Sequence, residues 1–387
     1  MQTIHNFQSA HQIIYGNDSL QSIDEYFYVF DDVRRVLIVT IDRFDKEIET
    51  IRTQLGNRNI VVDLLTGVEP EPTISHIHDL FNQIKNKKYD VLIGMGGGSV
   101  LDATKVLSVM LTNDTPLEDM VGTELIPNRG VPMVLIPTTS GTGSEVTPNA
   151  IVTFPDQELK IGIVSRYFMA DLVLLDPMLT ISVPPQVTAA TGMDAFTHSF
   201  ESYISNKSNP ISDMFAMESM RLISRSILRA YRDGSDLEAR QDMLLGSTYG
   251  GMALTSAGTA AVHALAYPLG GKFHISHGEA NSMLLPHVTR FNLDQIENKM
   301  AKIAREIGIL ENNKTDDREA AELLISNIES WTTSLNIPQD LSKFGVKEED
   351  VSGLAVAAAK VTRLLNNNPK VLSVEDMEDI YKKLLNS

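Results

Sequence analysis

The stretch from Ala190 to Tyr203 reads as a helix, with good helix formers and aromatics at Phe196, Phe200 and Tyr203. In such a helix Asp194 and His198 project from one face, one turn apart. An Asp and a His so placed can act as two arms of a metal clamp, though such a pair is more often an ion pair or a satisfied histidine on a helix surface. The decision rests on whether other ligands exist. His263, His274 and His277 are the candidates, but on one straight helix the fourteen positions from His263 to His277 would separate those two by about 21 Å. Pro268, Gly270 and Gly271 intervene and are expected to break that helix. The chain then turns, and His277, opening a new helix, faces His263. Asp194, His198, His263 and His277 together form an all-N/O ligand set. With no cysteine in the chain there is no thiolate and no disulfide. Such a set suits Fe(II), Zn(II), Mn(II) or Co(II).

A second chemistry is written in glycine. Gly94-x-Gly96-Gly97-Gly98-Ser99 lies between an apolar strand and a helix. Glycines allow close approach of the backbone and positive φ, and the helix N-terminus that follows presents free N–H groups to an anion such as a pyrophosphate. The spacing is neither the common dinucleotide fingerprint nor a P-loop, since no Gly-Lys-Ser/Thr follows. Pro137-Thr-Thr-Ser-Gly-Thr-Gly-Ser-Glu-Val-Thr147 is a second loop after a buried strand, with hydroxyls and glycines suited to phosphate or ribose. Two such loops at the carboxyl ends of parallel strands mark a ligand crevice.

The elements that must position these residues change character along the chain. Up to about residue 184, short apolar runs alternate with helical ones. Strands are expected near 36–40, 59–63, 90–95, 131–136 and 172–175, helices over 43–55, 73–87 and 100–111, and a β-hairpin turning at Pro155-Asp156. This predicts an α/β domain built on a parallel sheet, dinucleotide-binding and Rossmann-like. After Pro184-Pro185 only helical patterns remain, over 187–204, 210–231, 236–256, 279–307, 317–334, 347–364 and 374–385. The expected domains are 1–184, α/β, and 185–387, all-helical and metal-binding.

At 387 residues the chain can bury a large core in each domain. No apolar run approaches the roughly 18 residues of a membrane span, and the N-terminal segment does not read as a signal peptide. A formal charge of −17 repels phosphate backbones, and no Lys/Arg cluster with interleaved aromatics stands out, so nucleic acid is not expected as a general partner. A cytoplasmic protein is expected.

Taken together the motifs resemble the iron-containing (group III) alcohol dehydrogenases. They are Gly96-Gly-Gly-Ser-Val-Leu-Asp-Ala-Thr-Lys105, Pro137-Thr-Thr-Ser-Gly-Thr-Gly-Ser-Glu145, Gly192-Met-Asp-Ala-Phe-Thr-His198 and His263-Ala-Leu-Ala-Tyr-Pro-Leu-Gly-Gly271 with His277-Gly278, flanked by Ile14-Tyr-Gly16 and Asn366-Asn-Asn-Pro-Lys370. The resemblance spans essentially the whole chain. It implies a dinucleotide-binding domain and a helical domain with the active site in the cleft between, and a homodimer or larger homo-oligomer. It implies NAD or NADP as cofactor and a small primary alcohol, diol or aldehyde as substrate. The family's metal ligands fall on Asp194, His198, His263 and His277. Its cofactor contacts fall on Gly96, Gly97, Gly98, Ser99, Asp102, Thr138, Thr139, Thr142 and Lys160.

Two departures stand out. Tyr267 occupies the place where many members carry a proton-relaying histidine, and an ordinary phenol, with a pKa near 10, relays protons less readily. His274 is the substitute within reach in sequence. NAD-preferring members often place an Asp right after the first strand, whereas here Asp42 comes one position later, which leaves NAD and NADP both open. Two other readings stay in view: a dehydroquinate-synthase-like lyase using NAD and a metal, and a non-catalytic nucleotide-binding relative. The lyase would need several cations for its charged substrate, and the motifs offer few beyond Lys105, Lys160 and Lys272.

Overall fold

A computed structural model describes residues 4–155, 159–310 and 315–385. The chain divides into two compact units. One comprises Gln8–Thr139 and Gly143–Ile181. The other collects the residues from Ser182 onward, the N-terminal residues through Phe7, and Ser140–Thr142.

The α/β unit is organised by a six-stranded, all-parallel sheet. Its strands are β1 (Gln12–Tyr15), β2 (Arg35–Val39), β3 (Val61–Leu65), β4 (Val91–Gly96), β5 (Met133–Pro137) and β8 (Leu172–Leu175), in the order β1-β8-β5-β4-β2-β3. Alternate residues of β2 enter two different cores: Leu37 and Val39 one, Val36 and Ile38 the other. This two-sided burial is why these strands read as unbroken apolar runs. Helices α1 (Asp45–Asn57), α2 (Ile74–Ile84) and α3 (Gly98–Met110) supply the crossovers. Strand order reverses between β2 and β4. The segment bearing Asp42 and the glycine loop therefore leave neighbouring strands at the switch point, where such sheets bind ligands. Thr40 ties the two ends together, its hydroxyl donating to the Met95 carbonyl at 2.6 Å.

Strands β6 (Asn149–Phe154) and β7 (Leu159–Val164) pair antiparallel, as the hairpin expectation required. The expected turn residue Asp156 lies outside the described residues. Some boundaries differ from the sequence reading for local reasons. Asn59 is not in a strand: it adopts the left-handed conformation (φ 61) that closes α1, so β3 starts at Val61. Thr73 caps α2 by accepting from the His76 N–H, which places that helix's start at Ile74. The strand β1 and the 3₁₀ segment Ser19–Val29 were not expected at all. The Asp176 carboxylate holds that segment's start, accepting from the N–H groups of Asp18 and Leu20.

The helical unit contains α4 (Pro185–Ile204), α5 (Pro210–Arg232), α6 (Leu237–Ala257), α7 (Ala261–Phe273), α8 (His277–Glu306), α9 (Asp317–Ser334), α10 (Glu348–Ala359), α11 (Thr362–Leu365) and α12 (Val374–Lys383). The single helix expected over 347–364 is thus two, separated at Lys360-Val361. Helix α4 is buried along most of its length, among α5, α6 and α8. Among the described residues no helix is long and apolar enough to cross a membrane.

One expectation needs correcting on physical grounds. Pro268, Gly270 and Gly271 do not break the helix; α7 runs through them to Phe273. Proline's fixed φ is itself helical, and the only backbone bond it forfeits is the one the Ala264 carbonyl would accept. Burial of Val262, Leu265 and Leu269 in the core offsets that loss. The turn comes later, at His274, whose φ of 54 ends α7 in the left-handed conformation and lets α8 start at His277.

Candidate metal and nucleotide sites

In the helical unit, Asp194, His198, His263 and His277 each bring one ligand atom to a common point, all within 4.8 Å of one another. Asp194 Oδ1 lies 3.8 Å from His198 Nε2, 3.9 Å from His263 Nε2 and 3.7 Å from His277 Nε2. The His198 and His263 rings stack at 4.7 Å between centroids. Helix α4 gives the first two residues from one face, as their spacing requires. Helix α7 gives the third from its first turn, and α8 opens on the fourth. Gly278 makes this last placement attainable. A Cβ there would meet the Ala190 carbonyl oxygen at 2.3 Å, so only glycine lets the first turn of α8 approach α4 this closely.

The surroundings set the protonation of this group. His263 Nδ1 is 2.6 Å from Glu201 Oε2, and His198 Nδ1 is 3.3 Å from the Gly141 carbonyl oxygen. Each Nδ1–H donates outward, so each Nε2 keeps its lone pair for the centre. Burial pushes the His198 imidazole down, towards the neutral form a ligand needs. Burial also works to raise the Asp194 carboxyl. The three imidazoles and the Asn281 amide outweigh it and hold the carboxyl below its usual range. Asp194, His198 and His263 are buried, whereas the His277 side chain is 29% exposed, which makes it the open side of the group. Three imidazoles and one carboxylate, with the outward nitrogens of His198 and His263 already paired, fit a divalent cation.

Glu201 and Asn281 are the residues that sequence reasoning missed. Glu201 is fully buried and also accepts from the N–H groups of Ala260 (3.0 Å) and Val262 (2.7 Å). It thereby caps the start of α7 and orients the histidine that follows. Both residues were within reach of the spacing rule: Glu201 continues the 194–198 face, and Asn281 lies four residues after His277.

Tyr267 is buried one turn beyond His263, with its ring 6.1 Å from that of His277. His274 is exposed at the end of α7 and makes no hydrogen bond or ion pair with the described residues.

In the α/β unit the glycine loop joins β4 to α3, whose N-cap is Gly97. Gly94, Gly96 and Gly97 do not use positive φ. Close packing requires the first two, since a Cβ on Gly94 would meet Thr104 Oγ1 at 2.5 Å and one on Gly96 would meet Val100 at 2.6 Å. Helix α3 therefore starts tight against the strand, with its N-terminal amides at the strand's carboxyl end. Ser99 Oγ accepts from the Glu71 N–H at 3.0 Å, and the Thr138 N–H donates to the Gly96 carbonyl at 2.9 Å. The half-buried Thr139 comes near Gly97, whose Cβ would lie 3.3 Å from Thr139 Oγ1. Thr142, with Ser140 and Gly141, belongs to the helical unit.

Asp102 faces inward. Its carboxylate accepts from the Ser144 hydroxyl and the Ile151 N–H, and burial raises its pKa. Lys105 is fully buried and donates to the carbonyls of Ser144, Thr147 and Asn149; burial pushes its pKa down to about 8. Asp102 and Lys105 thus hold the second loop and β6 against α3. Lys160 is buried and paired with Glu71 at 2.5 Å. Asp42 is exposed beyond the carboxyl end of β2.

A parallel α/β unit with a glycine loop at its switch point, joined to helices that assemble Asp and three His, defines a metal-dependent nicotinamide dehydrogenase. Residues 10–177 match the iron-containing alcohol dehydrogenase family, and residues 188–385 match the C-terminal domain of the Fe-containing alcohol dehydrogenases. The chain belongs to this family, and it is an alcohol dehydrogenase-type oxidoreductase. It is 38% identical over 354 residues to long-chain-alcohol dehydrogenase 1 of Geobacillus thermodenitrificans, covering 90% of this chain and 89% of that protein. A crystal structure of 1,3-propanediol oxidoreductase superposes with a TM-score of 0.93 at 34% identity, over 99% of this chain and all of the other. Sulfoacetaldehyde reductase from Bifidobacterium kashiwanohense, solved with NAD+, gives 0.89 at 26% identity over the full length of both chains.

Proposed function

We propose that Asp194, His198, His263 and His277 hold the family's divalent cation, and that the chain interconverts a small primary alcohol or diol and its aldehyde with NAD or NADP. The observation that carries this reading is the convergence of one carboxylate and three imidazoles, two of which, His198 and His263, have their outward nitrogens already paired. A bound cation would supply Lewis-acid polarisation of the substrate oxygen, and a bound nicotinamide would supply hydride exchange with the carbinol carbon.

This chain's residues do the rest. Asp194 supplies the one negative charge against the cation. Glu201 and the Gly141 carbonyl fix the imidazoles in the ligating tautomer. Gly96, Gly97, Gly98 and Ser99, at the start of α3, receive the pyrophosphate. Thr138, Thr139, Thr142 and Lys160 contact the rest of the cofactor, and Asp102 keeps the second loop in place. Tyr267 orients the substrate hydroxyl from beside His277, as a hydrogen-bonding group. Exposed His274 is the poorer placed of the two relay candidates.

The lyase reading loses ground on one observation. Two of the cations it would need for its substrate are committed elsewhere, Lys105 to backbone carbonyls and Lys272 to Asp350 at 2.6 Å, and Lys160 is already assigned to the cofactor. The test is an absorbance assay of small alcohols, diols and aldehydes with each nicotinamide and Fe(II), Zn(II) or Mn(II). We expect stoichiometric cofactor turnover with both NAD and NADP, because Asp42 is displaced by one position from the usual acidic site. Catalytic rather than stoichiometric NAD use would favour the lyase. A metal-loaded protein inert across the panel would favour a nucleotide-binding relative, and a large NAD advantage would return Asp42 to the discriminating role.

A further inference from the structure

Asn281 lies on α8, one turn after His277, and is completely buried. Its Nδ2 is 2.7 Å from Asp194 Oδ1, 3.1 Å from His263 Nε2 and 3.2 Å from His277 Nε2. Those are three of the four atoms assigned to the cation. The amide nitrogen therefore caps the face formed by Asp194, His263 and His277. The other end of the carboxamide is bare: Asn281 Oδ1 is buried without a hydrogen-bond partner. A buried amide oxygen left unpaired is costly. The carboxamide is thus oriented by what its nitrogen does, and the shortest of its contacts is to the Asp194 carboxylate.

Resting on the metal reading above, we infer that Asn281 is a positioning residue of the cation site, whose N–H donors fix Asp194 as a one-oxygen ligand. A carboxylate oxygen has two lone-pair directions in its plane. With one of them on Asn281 Nδ2, Oδ1 has one left for the centre, and the carboxylate cannot rotate to offer both oxygens side by side. Single-oxygen ligation at short distance suits Zn(II), Fe(II) and Co(II), whereas larger ions accept bidentate carboxylates and higher coordination numbers. Asn281 thereby biases the site towards the smaller ions. The same residue types on the same helices, without this donor, would hold a looser site.

Asn281→Leu removes the donors at similar volume. Chelator-competition titrations of the full chain with Zn(II), Co(II) and Mn(II) give the readout, together with the visible spectrum of the Co(II) protein. We expect Zn(II) and Co(II) affinity to fall roughly 10–100-fold. Mn(II) affinity should fall less, and the Co(II) bands should weaken as coordination number rises. Wild-type affinities and spectrum in Asn281→Leu would overturn the proposal. So would an equal loss for all three ions with an unchanged Co(II) spectrum, which is the signature of general structural damage. If Asn281→Leu does not fold, Asn281→Asp gives the answer. A carboxylate in place of the donor would repel Asp194, so the chelator-stripped variant should melt about 3 °C or more below wild type, and Zn(II) should restore it. An unchanged melting point in the stripped variant would contradict the inference. Wild-type protein that binds none of these ions would instead sink the metal assignment itself, so the two failures are distinguishable.

Discussion

Replacing His263 with alanine is expected to cost the protein both its metal and its turnover. His263 Nε2 is one of four converging ligand atoms, and the ring is packed between His198 and His277. Loss of one ligand from a four-residue set removes the polarisation of the substrate oxygen, which is worth several kcal/mol at the transition state. That corresponds to a fall of about a thousandfold in kcat/KM. The side chain is buried but its backbone sits in an intact helix, so circular dichroism should show a folded protein. Metal content measured by elemental analysis should drop from near one per chain to background. A folded His263→Ala variant with full dehydrogenase activity would remove the basis for the metal assignment.

Glu201→Gln is expected to give the second-largest effect, without touching a ligand atom. The carboxylate accepts three hydrogen bonds at once, from His263 Nδ1 and from the N–H groups of Ala260 and Val262. Glutamine keeps the shape but offers one acceptor oxygen, and its amide group must face at least one N–H donor. With that oxygen facing His263 Nδ1 and Ala260, the Val262 N–H is left opposite the amide, and His263 loses the negative charge that makes its Nε2 a better donor to the cation. Metal affinity in a chelator competition should fall roughly 10–100-fold. Thermal stability should also fall by about 1–3 kcal/mol, since a buried N–H is left unpaired. At saturating metal much of the activity should return, which separates a supporting role from a direct one. Wild-type metal affinity in Glu201→Gln would show that the His263–Glu201 contact does not tune the site.

How much of this was legible without coordinates depended on the range of the interactions. Asp194 and His198 were legible because one helix sets their relation. The strands β2, β4, β5 and β8 were legible because burial on both faces leaves continuous apolar runs. The convergence of His263 and His277 was anticipated, but for a partly wrong reason. Pro268 and the glycines look like breakers in sequence, yet tertiary packing carries α7 past them, and the reversal occurs at His274 in a conformation no local pattern announces. The partnership of Glu201 with the start of α7 joins residues about sixty positions apart, and Asn281 reaches Asp194 across two helices. Spacing could have placed both on the right faces, but only packing shows what they touch. The glycine loop carried the opposite lesson. Its position was legible, while its chemistry is divided: Gly94 and Gly96 are demanded by Thr104 and Val100 on α3 rather than by φ. Asp102, carried over as a cofactor residue, spends its carboxylate on Ser144 and Ile151.

One divalent cation is expected among Asp194, His198, His263 and His277. Anomalous diffraction from crystals of the Zn(II)- or Co(II)-loaded protein, collected at that metal's absorption edge, tests it most directly. A single strong peak per chain is expected within about 2.0–2.2 Å of Asp194 Oδ1 and of the three Nε2 atoms. An active, metal-loaded protein whose anomalous peak lay elsewhere, with these four side chains bound only to one another, would contradict it.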